Sequence, residues 1–315
     1  INNKKSLIFR MLTDSIIVGV FAGLFSVFYR FIISKMGTYR NSLYNDFNFK
    51  SLSTLIILAI IISFIIYKLL KWAPLSGGSG IPQIHGEILG KFHMEEVPTI
   101  VSKIVGGGLG NLMGFSLGRE GPSIQMGGAT AKLVGKVLKR PSDEIKYMIT
   151  AGAAAGLAAA FNAPLAGCIF AIEELHKSYS RFVLLPAFIA SIIANYVSFI
   201  IMGVDTAFSF SLAKSLPMSL IWIAIAIGIL TGLIGCLYNK LIPIFQDIFK
   251  SISSNILKYS LLMLVTIIMG FVFFEATGGG HDLLEEMAIN RFPVKYVLAI
   301  LLIKLIYTAF CYGSG

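Results

Sequence analysis

The hydrophobic positions fall in long unbroken runs. Residues 15–29, 51–67, 182–204, 215–239 and 259–274 carry no charged side chain and are dense in apolar residues. A bilayer-crossing helix needs about 20 mostly apolar residues, and these runs meet or approach that length. None sustains period-two alternation, so the pattern predicts helical spans and no β-barrel. Lys4, Lys5 and Arg10 come before or at the start of the first span, which predicts a cytoplasmic N-terminus. The second span returns inward and ends at Lys68 and Lys71, in agreement. No cleavable signal peptide is evident, and a chain opening on Ile1 is expected to lack its true start.

Between residues 73 and 175 the pattern changes. Apolar segments become short and are cut by Gly and Pro: SGGSGIP at 76–82, GGGLG at 106–110, GREGP at 118–122 and FNAP at 161–164. Broken helices at membrane depth leave backbone groups unpaired, and they persist only inside protein or facing a watery cavity. Transporters use such breaks to aim helix N-termini at an anion. The basic cluster Lys132, Lys136, Lys139, Arg140 and Lys146 reads as a cytoplasmic loop, with Pro164 able to make the next segment re-entrant.

The stretch from Gly77 to Gly121 has an echo from Gly278 onward: a glycine cluster, an acidic turn, a proline, an apolar helix and another glycine. The spacing from Pro98 to Gly118 equals that from Pro293 to Gly313. Half-chain repeats of this kind are typical of secondary transporters. The chain is therefore divided into two membrane repeats, 1–180 and 181–315, the second expected to stop before its end.

Composition narrows the class. Hydrophobic residues make up 56% and charged residues 13%, with a mean hydropathy of +0.81. An average soluble domain has about 25% charged residues. Sixteen acids and twenty-six bases cannot coat a soluble protein of 315 residues. An ordinary cytosolic enzyme, a disordered chain and a disulfide scaffold are excluded, leaving an all-α integral membrane protein. The net charge of +10 reads as Lys and Arg in cytoplasmic loops rather than a nucleic-acid surface. Cys168, Cys236 and Cys311 are far apart in apolar stretches and read as small core residues.

Two breaks carry chemistry. In Gly78-Ser79-Gly80-Ile81-Pro82, Gly allows close approach, Ser is a favoured cap and Pro fits the first helical turn. Free N–H groups and the positive end of the helix dipole then face whatever sits before the helix: a dehydrated anion, or nothing if this is a plain helix start. In Gly118-Arg119-Glu120-Gly121-Pro122 an acid is added. Such a carboxylate can occupy an anion site when ionised and vacate it when protonated. The plainer alternative is a self-satisfied Arg119–Glu120 pair, but adjacent residues at a helix start rarely face each other.

Glu173-Glu174 closes the uncharged run 147–172. The pair reads either as an interfacial cap or as a proton acceptor feeding Glu120 from the cytoplasmic side, where burial would raise a carboxyl's pKa. Asn162-Ala163-Pro164 is a structural helix break, and Gly152/Gly156 has the spacing of close helix packing. Gly114-Phe115-Ser116-Leu117-Gly118 matches G-x-S-x-G, but a nucleophile elbow needs a strand and sheet, and an intramembrane hydrolase using Ser116 would need a paired base. His85, His93, His176 and His281 lack tight ligand spacing, so no metal is expected; His85 and His93 with Glu87, Glu95 and Glu96 read as a solvated loop. No phosphate-binding loop is present, so no nucleotide-driven pump is indicated.

GSGIP at 78–82, GREGP at 118–122 and GAAAGLAAAFNAPLAGCIFAIEEL at 152–175 closely resemble the CLC family of chloride channels and proton-coupled chloride antiporters. The resemblance runs from residue 76 to 176 and more weakly onward, through Thr277-Gly278-Gly279-Gly280 to Gly313-Ser314-Gly315. It implies an inverted-repeat fold with broken and re-entrant helices and an anion site at helix N-termini near the midplane. Ser79 would contact the central anion, with N–H groups around Gly80 and Ile81 nearby. Arg119 and Gly121 would supply N–H groups to an outer site. Glu120 would be the gate that competes with anion there and carries the proton. Glu174 would be the internal proton-transfer acid, which channel members usually lack. Lys103 and Glu173 would support the internal path. Serine in GSGIP is the chloride-type choice; nitrate-preferring relatives tend to have proline there, and fluoride exporters depart from the motif.

These implications amount to H⁺/Cl⁻ exchange across the cell (plasma) membrane by a multi-pass protein that is not an enzyme. Chloride and protons are the transported ligands. No cofactor and no nucleic-acid partner is expected, and a homodimer is implied. The alternatives are a passive voltage- or pH-gated chloride channel of the same fold, and a non-conducting membrane fragment or assembly protein. The family's GxFxP motif should follow Gly315, and the pore tyrosine and two dimer-interface helices are missing from the 315 residues, so these are expected to be part of a longer protein and not to transport alone.

Overall fold

The computed structural model describes residues 2–45, 47–203, 217–290 and 292–315. The expected span ends at Val204 and Ser215 lie outside the described residues. Within them all regular structure is helical: α1 (Asn2–Tyr44), α2 (Phe49–Trp72), α3 (Ile81–Ile88), α4 (Glu96–Met113), α5 (Glu120–Val137), α6 (Ser142–Phe161), α7 (Pro164–Phe170), α8 (Arg181–Met202), α9 (Ile221–Ser251), α10 (Asn255–Val272), α11 (His281–Ile289) and α12 (Val294–Gly313). Among the described residues six helices are long and apolar enough to cross a membrane: Leu7–Tyr44, Phe49–Trp72, Arg181–Met202, Met218–Ser251, Asn255–Val272 and Val294–Gly313. The last was not among the uncharged runs, because Lys295 and Lys304 interrupt it.

The chain forms two compact units. One comprises Ile1–Ser42, Phe64–Leu112 and Gly118–Ala207; the other comprises Leu43–Ser63, Met113–Leu117 and Phe208–Gly315. In the first unit, α5 and α6 meet backbone to backbone. A Cβ on Gly127 would overlap the Gly152 carbonyl, and one on Gly156 would overlap the Ser123 carbonyl. A second seam joins Ala151, Ala155 and Ala159 of α6 to Ala190 and Ala194 of α8 and Ala22 of α1. Lipid tails are as apolar as leucine, so close approach of small residues is what makes helices associate in a bilayer. The Gly152/Gly156 spacing works as expected.

The break at FNAP is capped from two other helices. Asn162 ends α6 in the left-handed region, and Pro164 starts α7. Arg30 of α1 donates to the Ala159 carbonyl at 3.0 Å and to Ser198 Oγ at 3.0 Å, while Ser198 donates to Asn162 Oδ1 at 2.8 Å. A carbonyl of the last turn of α6, which lacks a helical partner, is thereby satisfied.

The expected loops need correction. Glu87 and Glu96 are buried, not solvated, and so is Lys132, which lies within α5. Lys132 Nζ sits 2.8 Å from Glu87 Oε1 and 3.4 Å from Glu96 Oε1, and donates to the Met94 carbonyl at 2.7 Å. Buried charges must pair or neutralise, and these pair. His85 is half-buried on α3, whereas His93 and Glu95 are exposed as expected. The actual loop between α5 and α6 holds Arg140, which grips the buried Asp14 of α1 through two bonds of 2.8 Å. That hydrogen-bonded carboxylate raises the guanidinium above its ordinary range. Cys168 and Cys311 are buried, but Cys236 is exposed on α9, whose residues are unburied in this chain apart from Phe249.

In the second unit the stretch after α4 is held by hydroxyls. Tyr307 Oη donates to the Gly114 carbonyl at 3.0 Å, and Tyr44 Oη donates to the Met113 carbonyl at 2.8 Å. Ser116 Oγ lies 2.7 Å from Thr308 Oγ1 and 3.3 Å from Lys304 Nζ. The Lys304 amine is the side-chain nitrogen bonded to this serine. It also donates to the Ala276 and Gly278 carbonyls at 3.1 and 3.0 Å, which tie it to the turn before α11. No strand lies beneath it among the described residues.

The internal echo reappears in the backbone. A 3₁₀ turn, Pro74–Ser76, precedes α3; another, Phe274–Ala276, precedes α11. Gly78 and Gly80 have φ of 70° and 101°, and Gly278 and Gly280 have φ of 68° and 86°. Lys103 of the following helix donates to the Gly78 carbonyl, and Lys304 of the following helix donates to the Gly278 carbonyl.

Candidate functional site

The GSGIP turn is built to present the start of α3. Gly80 caps the helix with φ of 101°, a conformation that L side chains rarely adopt, and Pro82 fills the first turn. Ser79 Oγ accepts from the Ile81 N–H at 3.3 Å. The turn is pinned from three sides. Lys103, buried in α4, donates to the Gly78 carbonyl at 2.7 Å. Gln83 Nε2 donates to the Gly77 carbonyl at 2.8 Å, and Gln125 Nε2, wholly buried in α5, donates to the Leu75 carbonyl at 2.7 Å. These bonds hold the turn in one conformation.

A second helix start is brought against the first. A Cβ on Gly121, in the first turn of α5, would overlap the Ser79 carbonyl. A Cβ on Gly80 would meet the Gln125 side chain at 2.7 Å and the Gly121 carbonyl at 3.0 Å. Glycines 80 and 121 thus let α3 and α5 begin side by side. Arg119 caps α5, and Glu120 is its first residue. The Glu120 side chain turns back over the helix start, with Oε2 where a Cβ on Gly118 would be. A carboxylate there is favoured by the positive end of the dipole. Two helix N-termini converge, and one carries a carboxylic acid as its first residue.

Ser79, Gly80, Ile81, Lys103, Arg119, Glu120 and Gly121 therefore belong to one small region of the first unit. Glu173 and Glu174 do not join it. They lie on a π-helical turn, Ala171–His176, after α7, and both side chains are exposed. The burial expected for this pair is absent within this chain. The ties of this turn go elsewhere: the Leu175 carbonyl to His85 Nδ1 at 2.7 Å, and His176 Nδ1 to Thr150 Oγ1 at 3.0 Å. Gln83 and Gln125 carried no expectation from the sequence, and His85 was expected in a solvated loop. Their signal was present: polar side chains at interior helix positions in otherwise apolar surroundings.

Residues 58–315 match the family described as voltage gated chloride channel. The H(+)/Cl(-) exchange transporter ClcA of Vibrio parahaemolyticus serotype O3:K6 is 34% identical over 272 residues, covering 82% of this chain and 58% of that protein. The transporter of the same name from Vibrio campbellii is 33% identical over 323 residues, covering 98% and 68%. The chain thus spans about three fifths to two thirds of the length of these relatives. Among solved structures, a slow cyanobacterial Cl⁻/H⁺ antiporter superposes with a TM-score of 0.88 at 28% identity, covering 97% of this chain and 74% of that one. A CLC-type fluoride/proton antiporter shares the fold, with a TM-score of 0.83 at 22% identity, covering 97% and 75%.

Proposed function

The chain belongs to the voltage gated chloride channel family, and we propose that its protein exchanges protons for chloride across the cell membrane. The observation that carries the proposal is the apposition of Ser79 and Gly121, with Glu120 folded over the start it shares. The names of the similar transporters and of the cyanobacterial antiporter support it.

The mechanism follows from the charges. Ionised Glu120 is held at the α5 start and excludes an anion. Once protonated it loses its charge and its attraction to the dipole, and it leaves. Chloride then takes the vacated position, held by N–H groups of Arg119 and Gly121, with the Ser79 hydroxyl and the N–H groups of Gly80 and Ile81 forming the inner position. Glu174 exchanges the proton with the cytoplasm, supported by Glu173, and Lys103 keeps the turn in place. Each cycle moves a proton against chloride because one carboxyl handles both. In this reading the N-terminus is cytoplasmic, the protein works as a homodimer, and residues 1–180 and 181–315 are its two membrane repeats.

The test is proton uptake by liposomes holding the full-length protein, driven by a chloride gradient alone. Uphill proton movement establishes exchange. Chloride flux with no proton movement establishes a passive channel instead.

A further inference from the structure

α3 has two ends with different contacts. Its first turn presents Ser79, Gly80 and Ile81, and its last turn reaches the acidic turn through His85. A carbonyl only accepts, so Nδ1 of His85 carries the hydrogen that the Leu175 carbonyl receives at 2.7 Å. Leu175 directly follows Glu174. Its carbonyl lies in the last turn of a short helical segment, where backbone acceptors have no partner within the helix. The turn is also π-wound, with Lys177 N–H bonded to the Ile172 carbonyl, a geometry that is rare and frequent at functional sites.

A second imidazole holds the other side. Thr150 Oγ1 donates its one hydrogen to the Lys146 carbonyl at 3.1 Å, so toward His176 Nδ1 it accepts. Two N–H donors, one from α3 and one onto α6, therefore fix the backbone on which Glu174 sits.

We infer that His85 is a positioning residue for proton transfer: its bond to the Leu175 carbonyl sets where the exposed Glu174 carboxyl stands. The inference rests on the reading of Glu174 as the proton-transfer acid. It makes α3 the common element of the two halves of exchange, the anion turn at its start and the acid turn near its end. Without the tether the acidic turn relaxes and proton transfer fails, while the anion turn, pinned by Lys103, Gln83 and Gln125, is left intact.

The experiment compares His85→Leu, His85→Asn and Glu174→Gln in the full-length protein in liposomes, reading proton and chloride fluxes separately. The Asn side chain places an N–H close to where Nδ1–H stands and does not titrate near neutral pH. His85→Leu should keep chloride flux and lose proton flux by about tenfold or more, the scale expected when a reacting group is displaced. His85→Asn should restore most of the proton flux. Normal coupling in His85→Leu, beside an uncoupled Glu174→Gln, overturns the inference alone. Normal coupling in Glu174→Gln overturns the reading beneath it as well. If His85→Leu does not fold, the Asn variant decides: uncoupling there, in a folded protein, shows that the tether is not what matters.

Discussion

Gly121 lies against the carbonyl of Ser79 with no room for a methyl group between them. The contact joins the starts of two helices that are 39 residues apart in the chain. A Gly121→Ala change must push α5 away from the turn. Overpacking of a close contact costs about 1–3 kcal/mol, so the variant should unfold at a lower temperature. It should also lose chloride affinity, read by calorimetric titration of the purified protein. Unchanged affinity would separate this contact from the anion site.

Glu120→Gln tests the gate. An amide has the shape of the protonated acid and cannot carry charge. Chloride flux should persist in this variant and no longer vary with pH, while the unsubstituted protein should conduct faster as the medium is acidified. Proton flux should vanish. A variant whose chloride flux still follows pH would move the gate to another residue.

Glu174→Gln separates the two fluxes differently. Chloride should keep moving with its pH dependence intact, because Glu120 is untouched, and coupled proton movement should stop. Flux measurements with a chloride-selective electrode and a pH electrode on the same vesicles give both readings.

Lys132→Met concerns stability and not transport. Its amine lies between Glu87 and Glu96, and its side chain is 4% exposed. Breaking a buried pair strands its partners, at a cost of about 3–5 kcal/mol. Lys136→Met removes a lysine that is 45% exposed from the same Glu96, and should cost about 1 kcal/mol or less. Thermal unfolding in detergent of both variants should show a clear drop in the first only.

What the sequence made legible was local. The uncharged runs, the Gly-Ser-Gly-Ile-Pro start and the break at Asn162 each declare themselves within a few residues, because span length, capping and proline geometry are short-range rules. The same holds for Glu120 at a helix start. What stayed hidden depended on partners far along the chain. Glu87 and Glu96 look solvated until α5 brings Lys132 between them. Gln125 looks incidental until its amide is seen under the turn 50 residues earlier. His85 looked like a surface residue because its acceptor, the Leu175 carbonyl, is a backbone atom with no side-chain signature. No residue pattern in 171–176 announces the π-wound turn or the exposure of Glu174 on it. The span Val294–Gly313 was hidden for an opposite reason: Lys304 breaks the apolar run, yet its amine is bonded to two carbonyls of its own chain.

The paired glycine turns separate two kinds of information in the chain. Both copies keep what bending requires: left-handed glycines at 78 and 80, again at 278 and 280, and a lysine from the next helix on the turn's carbonyl. Only the first keeps a hydroxyl between the glycines and an uncharged Ile-Pro entry; the second has Gly279, His281 and Asp282 at the matching places. Asp282 brings its own negative charge to that helix start. One backbone plan therefore serves twice, and the chemical difference between the copies is written in the few side chains that differ. Chemistry of that kind can drift at one copy while the other continues to hold the fold.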